Sequence, residues 1–307
     1  MCTALFYAAG GGYMGRTLDL EYGYGEQVTV TPRGYLDNRY GMVGMAAVAD
    51  GYPLYYDGVN EAGLAMAGLN FPHSARYAPP PDVGVEVAVH RLIPTLLGRC
   101  ESVDQAVSLL RGLVLCDRPF SDRYPTASLH WMLADAGRSV VVESTADGVR
   151  IMENPARVLA NEPPLPHQLS HLSHYANLTP APPQDAWQQP LSRGGGTVGL
   201  PGDFTSPARF VRGAYVAAHA APTGEPISQV FRMMAAVAVP SGCVLAEDGR
   251  PVITRYTACM DLRGRAYLYS TYGCHRLRGV ALRPSVLEGN SLTTYPLPEQ
   301  EDILWEN

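Results

Sequence analysis

A cysteine at position 2 directly follows the first methionine. Methionine is commonly removed when the next residue is small, which leaves one residue with both a thiol and a free α-amino group. The thiolate is the nucleophilic form of cysteine, and an unperturbed thiol titrates near pH ~8.5. The α-amino group titrates at about 7.7–8.0 and can take the thiol proton. Cys2 therefore predicts a nucleophile that carries its own base, although a cysteine here can also have no function.

Composition narrows the function classes. The chain has 307 residues, 46% of them hydrophobic, and a net charge of −6. This acidic balance, without a basic cluster, argues against nucleic acid as a partner. No apolar run approaches the roughly 18 residues of a membrane span, and the first residues do not have the pattern of a signal peptide. A cytoplasmic location is expected.

The residue types exclude several kinds of chemistry. All 23 basic residues are arginine, so Schiff-base and P-loop chemistry, which need lysine, are excluded. The cysteines stand at positions 2, 100, 116, 243, 259 and 274 without a C-x-x-C pair, which indicates free, mostly buried thiols. His167, His171 and His174 share a helix face, which raises the hypothesis of a metal site. Because no run of carboxylates lies nearby, we favour a polar surface face instead. We expect no metal and no organic cofactor.

Hydrophobic periodicity predicts strands at 3–9, 14–21 and 27–32. Residues 10–15 match G-x-G-x-x-G, but an alternating strand pattern follows them. A dinucleotide site needs a helix there, so a hairpin turn is predicted instead.

Helices are predicted at 85–98, 102–110, 165–175, 207–218 and 226–237, and hairpins at 127–144 and 255–272. This order favours an α+β fold in which helices cover the outer faces of antiparallel sheets, within a single domain 1–307. The Pro- and Gly-rich stretch 179–202 is too long for an ordinary connection, so it is predicted to be functional, interface-forming or mobile.

Several motifs, in this order, resemble the choloylglycine hydrolases, which include bile salt hydrolases and penicillin V acylases. They are MCT (1–3), GRTLD (15–19), DGVNEAGL (57–64), GLNFP (68–72), LHW (129–131), GLPGDFT (199–205) and ARF (208–210). The resemblance implies a four-layer αββα sandwich of the N-terminal-nucleophile hydrolases. It also implies cleavage of a linear amide through an acyl-enzyme on Cys2, with the freed α-amine as base.

The resemblance implies further catalytic residues. Arg16 and Asp19 match the family's pair beside the nucleophile, with Arg16 favouring the thiolate and Asp19 holding the α-amine. Because they are three residues apart on a strand, they are expected to point to opposite sides unless a bulge re-aims one of them. Asn70 and Asn161 match positions that line the family's oxyanion hole. Arg209 matches an arginine that supports the nucleophile electrostatically.

The motifs leave two possible substrate classes open, those of the bile salt hydrolases and those of the penicillin V acylases. Asn70 favours the bile salt hydrolases, since penicillin acylases usually carry an aromatic residue at this position. The segments 179–185 and 239–245 look more like the penicillin acylases. We favour bile salts, because Asn70 belongs to the site. A sterol acyl group needs a broad apolar pocket, for which the candidates are Leu20, Tyr24, Phe71 and Tyr124.

Two further expectations concern Met1 and assembly. If Met1 is retained, the α-amine is blocked, and the protein would be an inactive relative that binds an amphipathic molecule. The resemblance also implies a homotetramer formed through the segment 179–199.

Overall fold

The computed structural model describes residues 1–80, 85–182 and 193–307. The strands are β1 Cys2–Tyr7, β2 Tyr13–Leu20, β3 Glu26–Thr31, β4 Met42–Ala49, β5 Tyr52–Tyr55, β6 Asp57–Asn60, β7 Ala65–Asn70, β8 Val85–Ala88, β9 Leu113–Cys116, β10 Leu129–Ala134, β11 Ser139–Thr145, β12 Gly148–Glu153, β13 Val158–Leu159, β14 Ile253–Asp261, β15 Ala266–Thr271, β16 Cys274–Ala281 and β17 Thr293–Pro296. The α-helices are α1 Leu92–Arg99, α2 Val103–Leu110, α3 Leu165–Leu172, α4 Ser206–His219, α5 Pro226–Ala235 and α6 Pro284–Leu287. Short 3₁₀ helices cover Ala9–Gly11, Val89–Arg91, Ser173–Tyr175 and Gly195–Thr197.

Two antiparallel sheets face each other. The smaller sheet has the strand order β13-β1-β2-β14-β15-β16, and the larger has the order β12-β11-β10-β7-β6-β4-β3-β17, with β5 paired to β4. Helices α4 and α5 pack on the smaller sheet and α1 packs on the larger one. Apolar side chains of both inner faces form one buried core, and a second core lies between α1, α2 and the larger sheet. This arrangement confirms the predicted α+β, four-layer αββα sandwich.

The glycines between β1 and β2 form the predicted turn. Gly10, Gly11 and Gly12 have φ angles of 67°, 117° and 91°, which L-residues with a side chain rarely adopt. The chain therefore reverses at once from β1 into β2. As a result, the two strands that carry Cys2 and Arg16 are direct neighbours in the smaller sheet.

The prediction of a helix at 85–98 was wrong for the residues before Leu92. Val85–Ala88 forms a strand that pairs in parallel with Leu113–Cys116, and the α-helix begins only at Leu92. Alternating β-branched residues at Val85 and Val87 favour the strand. Pro94 lies in the first turn of α1, where a missing N–H group costs little.

The Pro- and Gly-rich stretch 179–202 is only partly described, since residues 183–192 lie outside the described part of the chain. Beyond them, Gly195–Thr197 forms a short 3₁₀ helix, and the following Val198 is 78% exposed. Within the described ranges, none of the helices combines the length and apolarity that crossing a membrane would require.

Candidate active site

The pairing of β1 with β2 brings the predicted catalytic residues together. Cys2 lies opposite Leu18, and Ala4 lies opposite Arg16. Directly opposed residues share a sheet face, so the side chains of Cys2 and Arg16 both face the larger sheet. Asp19 lies on the other face, toward α4, which confirms that Arg16 and Asp19 point to opposite sides. The bulge nearby belongs to β14 and leaves Asp19 in its normal alternation.

Arg16 is 1% exposed and contacts the thiol directly. Its Nη2 lies 3.6 Å from Cys2 Sγ and donates to the Gly68 carbonyl at 3.0 Å. Its Nη1 donates to Asp57 at 2.6 Å and to the Tyr256 hydroxyl. Burial alone would lower the pKa of the Arg16 guanidinium, but its interactions with Tyr256, Asp57 and Cys2 raise that pKa well above the usual value. A permanent positive charge therefore stands beside the sulfur.

Asn161 holds the main chain of the nucleophile from the other side. Its Oδ1 accepts the N–H of Cys2 at 2.9 Å and Nη2 of Arg209 at 2.7 Å. Its Nδ2 donates to the Asn70 carbonyl at 2.8 Å. Arg209, which comes from α4, also donates to the Cys2 carbonyl and to Thr3 Oγ1. The residue types predicted around Cys2 thus form one connected network.

Asp19 reaches this network from the helix-covered face. Its carboxylate accepts the Thr254 hydroxyl at 2.6 Å and is completely buried. Burial raises the pKa of the Asp19 carboxyl above its usual value, and the positive charge of Arg209 opposes that rise. The main-chain N–H of Asp19 also donates to the Met1 carbonyl at 2.9 Å. Asp19 therefore lies beside the peptide that links Met1 to Cys2.

Asn70 ends β7 close to Asn161. Phe71 donates its N–H to the Ser128 carbonyl at 2.8 Å, across the ladder between β7 and β10. Main-chain groups of adjacent residues point in opposite directions along a strand, so those of Asn70 face away from β10. They face Asn161, whose Nδ2 meets the Asn70 carbonyl. The Asn161 side-chain amide therefore links the main chain of Cys2 to that of Asn70.

A cavity of about 340 Å³ opens from the thiol of Cys2. It is largely apolar, and among its lining residues are Cys2, Arg16, Leu18, Leu20, Tyr24, Leu54, Gly68, Asn70, Val89, His90, Ile93, Phe120, Tyr124 and Trp131. A larger depression of about 850 Å³ lies against α5 and β14, but no cysteine lines it. The cavity at Cys2 thus joins the predicted nucleophile to an apolar surface.

Three of the four predicted pocket residues line this cavity: Leu20, Tyr24 and Tyr124. The placement predicted for Phe71 was wrong. Its side chain is 0% exposed and stacks on His130, with ring centroids 4.2 Å apart. The residue follows Asn70 on the strand, so alternation turns its side chain to the opposite face.

Sequence reasoning missed several buried polar residues of the site. Asp57 and Tyr256 hold Arg16, and Asp57 begins the buried strand Asp57–Asn60. His130 donates through Nε2 to the Ala160 carbonyl at 2.8 Å, and its Nδ1 lies 3.2 Å from the Glu143 carboxylate. This pair fixes the residue before Asn161. The sequence signal for His130 was that it is a lone polar residue in the otherwise apolar strand Leu129–Ala134.

Other candidate groups lie elsewhere. Across 1–80, 85–182 and 193–307, no cluster of three His, Cys, Asp or Glu residues is placed to hold a metal ion. Helix α3 ends at Leu172, so His174 falls in the following 3₁₀ turn, with its ring centroid 6.4 Å from that of His171. All six cysteines are free, and Cys243 is exposed while the other five are buried.

Comparisons with known proteins agree with this geometry. The model of the family "Linear amide C-N hydrolases, choloylglycine hydrolase family" matches residues 2–295. A bile salt hydrolase/transferase of Lactiplantibacillus plantarum is 37% identical over 314 residues, which cover 97% of both proteins. A bile salt hydrolase/transferase of Clostridium perfringens is 31% identical over 317 residues, which cover 96% of both proteins.

Solved structures give the same result. The crystal structure of a variant of the conjugated bile acid hydrolase from Clostridium perfringens matches with a TM-score of 0.92 and 29% identity, over 100% of both chains. The penicillin V acylase from Agrobacterium tumefaciens matches with a TM-score of 0.77 and 22% identity, over 96% of this chain and 90% of its own. The second likeness concerns the fold alone.

Proposed function

Because the chain belongs to the choloylglycine hydrolase family, we propose that it hydrolyses the amide bond of bile acids conjugated to glycine or taurine. One observation carries this proposal: the Cys2 thiol, in contact with Arg16, opens directly into a largely apolar cavity of about 340 Å³. A sterol acyl group is broad and apolar, and such a cavity suits it. Relatives named for this activity support the proposal, since they are 37% and 31% identical over almost the whole chain.

Catalysis begins with removal of Met1 and transfer of the thiol proton to the new α-amine of Cys2. The sulfur attacks the amide carbonyl and forms a carbon–sulfur bond, and the carbonyl electrons move onto oxygen. The α-ammonium then gives its proton to the leaving nitrogen as the carbon–nitrogen bond breaks, which releases glycine or taurine. Water attacks the thioester with the same amine as base, which frees the bile acid and restores the thiol.

The oxyanion is stabilised by the Asn70 N–H and by Nδ2 of Asn161. Both groups are neutral donors and are held before the reaction begins, Asn161 by its contacts with Cys2 and Arg209. Donors that are already oriented need no reorganisation when negative charge develops on the carbonyl oxygen. This explains why the site needs an asparagine at 161.

The charges around Cys2 are balanced. Arg16 and Arg209 supply two positive charges, and Asp19 and Asp57 supply two negative charges when ionised. A thiolate and an α-ammonium on Cys2 add one charge of each sign, so the reactive ion pair leaves the buried cluster neutral. Arg16 is ion-paired with Asp57, while Arg209 and Asp19 are hydrogen-bonded to the neutral side chains of Asn161 and Thr254. Such partners offset the cost of burying charged groups.

We expect the purified protein to release glycine or taurine from glycocholate and taurocholate at least ~10-fold faster than it cleaves penicillin V. In a hydrophobic pocket, one extra or missing methylene group of the acyl chain changes the transition-state free energy by about 1–3 kcal/mol. Amine release measured side by side on the three compounds, at one protein concentration, tests this. Faster cleavage of penicillin V would mean that the protein is a penicillin V acylase and not a bile salt hydrolase. No release from any of them, with bile salt binding retained, would support the inactive, amphipath-binding alternative.

Asn161→Asp is expected to lower kcat by about 10²–10³-fold, the usual cost of losing one oxyanion donor, with a smaller change in KM. Aspartate keeps an oxygen that can accept from Cys2 and Arg209 but removes the Nδ2 donor and adds a negative charge. Steady-state kinetics on glycocholate measure the effect. Asn154→Asp, at a buried asparagine that bonds to the Val158 carbonyl outside the cavity, is the matched control. An unchanged kcat in Asn161→Asp would remove this residue from the oxyanion hole.

The assembly proposed for this protein is a homotetramer formed through 179–199. The exposed apolar side chain of Val198, at the described end of this segment, supports such a contact. Light scattering coupled to size-exclusion chromatography gives the subunit number directly.

A further inference from the structure

Asp57 is a buried group that the reaction described above uses only as a balancing charge. It belongs to the larger sheet, whereas Arg16 belongs to the smaller one. Their side chains meet between the two sheets, where Asp57 is 0% and Arg16 1% exposed. The ion pair therefore spans the interior of the sandwich directly behind the nucleophile.

The two ends of the Arg16 guanidinium have different partners. Nη1 is taken by the Asp57 carboxylate at 2.6 Å and by the Tyr256 hydroxyl. Nη2 faces Cys2 Sγ at 3.6 Å and the Gly68 carbonyl. A guanidinium is planar, so fixing Nη1 fixes the direction of Nη2. Among the residues that the structure describes, Asp57 is the one carboxylate that bonds to Arg16, and it does so at Nη1.

Asp57 is itself held in place. Its Oδ2 accepts the Tyr256 hydroxyl at 2.5 Å, and its Oδ1 lies 3.5 Å from the N–H of Met45. Its main chain is paired with that of Ala67. It also packs tightly on Gly44, because a Cβ atom added to Gly44 would lie 2.0 Å from the Asp57 carbonyl oxygen. The carboxylate therefore has a fixed position to which Arg16 is attached.

We propose that Asp57 is the positioning residue for Arg16, holding its guanidinium so that Nη2 faces the Cys2 sulfur. This inference rests on the proposed function, in which Arg16 stabilises the thiolate. Asp57 acts through Arg16 alone and does not touch the substrate, since the cavity is lined by Arg16 and Gly68 but not by Asp57. The alternative is that the ion pair only joins the two sheets.

A double-mutant cycle of Asp57→Asn and Arg16→Met tests the proposal. We expect each single variant to lower kcat on glycocholate by roughly 10²-fold with KM within about twofold, and the double variant to lose no more than Arg16→Met alone, because residues that act as a unit are not additive. If the losses multiply, Asp57 acts independently of Arg16 and the proposal is overturned. Glu61→Gln, which removes a carboxylate that lies just after β6 and pairs with the exposed Arg33 outside the cavity, is the matched control and should keep full activity.

Alkylation of Cys2 by iodoacetamide repeats the cycle without any substrate, so its result stands even if bile salts are the wrong substrate class. We expect slower alkylation in Asp57→Asn and Arg16→Met, by a similar factor, and no further slowing in the double variant. Faster alkylation in Asp57→Asn would mean that Asp57 merely neutralises Arg16, which overturns positioning. If Asp57→Asn does not fold, the alkylation rate of the double variant, which has no buried charge at either position, is compared with that of Arg16→Met. Equal rates support the proposal, and a slower rate in the double variant overturns it.

Discussion

Cys2→Ala is expected to lower turnover of the preferred amide by about 10⁴-fold or more, as removal of a catalytic nucleophile does in other hydrolases. In the proposed mechanism the Cys2 sulfur forms the acyl-enzyme, and alanine has no atom that could replace it. The folded structure should remain, because the substitution removes one atom from a side chain that lines the cavity. Amine release and the thermal unfolding temperature, measured on the same preparation, give the two results.

The controls separate loss of the nucleophile from loss of a thiol. Cys243→Ala removes the exposed cysteine outside the cavity and should keep full activity. Cys2→Ser keeps a hydroxyl in the same position and should retain a trace of activity, because an alcohol is a weaker nucleophile near neutral pH. Cys2→Ala protein that still turned over at more than a hundredth of the original rate would rule out the proposed acyl-enzyme.

The parts of the site that follow from local patterns could be predicted from the sequence. The alternation of β2 correctly places Arg16 and Asp19 on opposite faces, because side-chain direction in a strand depends only on the number of residues between two positions. The turn at 10–12 is likewise local, since its glycines provide the positive φ angles. The layer order, in contrast, came from the resemblance and was confirmed by the sheet topology.

The parts that depend on long-range pairing could not be predicted. Asp57 and Arg16 are 41 residues apart, and only the packing of one sheet on the other brings them to 2.6 Å. The strand Val85–Ala88 needs its partner Leu113–Cys116, which lies beyond two helices. Phe71 fits an apolar pocket by residue type, yet the strand direction after Asn70 turns it toward His130. In each case the missing information is the position of a distant element.

Retention of Met1 is expected to reduce turnover by at least about 10³-fold, a loss similar to that of removing a general base. While Met1 is attached, the nitrogen of Cys2 belongs to a peptide bond, where resonance removes its basicity. That N–H already donates to Asn161 Oδ1 at 2.9 Å. After cleavage the same nitrogen can keep this bond as an amine and use its lone pair for the thiol proton, so the site gains its base without moving.

A chain with a cleavable leader that ends directly before Cys2 tests this expectation. Intact mass reports the state of the N-terminus, and amine release is measured before and after cleavage. The matched control leaves one extra glycine in front of Cys2 after the same treatment, so that only the position of the free amine differs. Equal rates before and after cleavage would exclude the α-amine as the base.

The intact mass of the native protein decides between the enzyme and the inactive binding protein, because it reports whether Met1 is removed. Met1 lies opposite Asp19 on the neighbouring strand, and its carbonyl accepts the main-chain N–H of Asp19 at 2.9 Å. We therefore expect removal of Met1 to leave the new amine near the buried carboxylate of Asp19. A buried carboxylate next to an ammonium group stabilises the protonated amine, which is the form that must donate to the leaving nitrogen. In the proposed mechanism, removal of methionine therefore provides both the base and its counter-ion. If the native protein keeps Met1 and still binds bile salts, the binding protein is the correct interpretation.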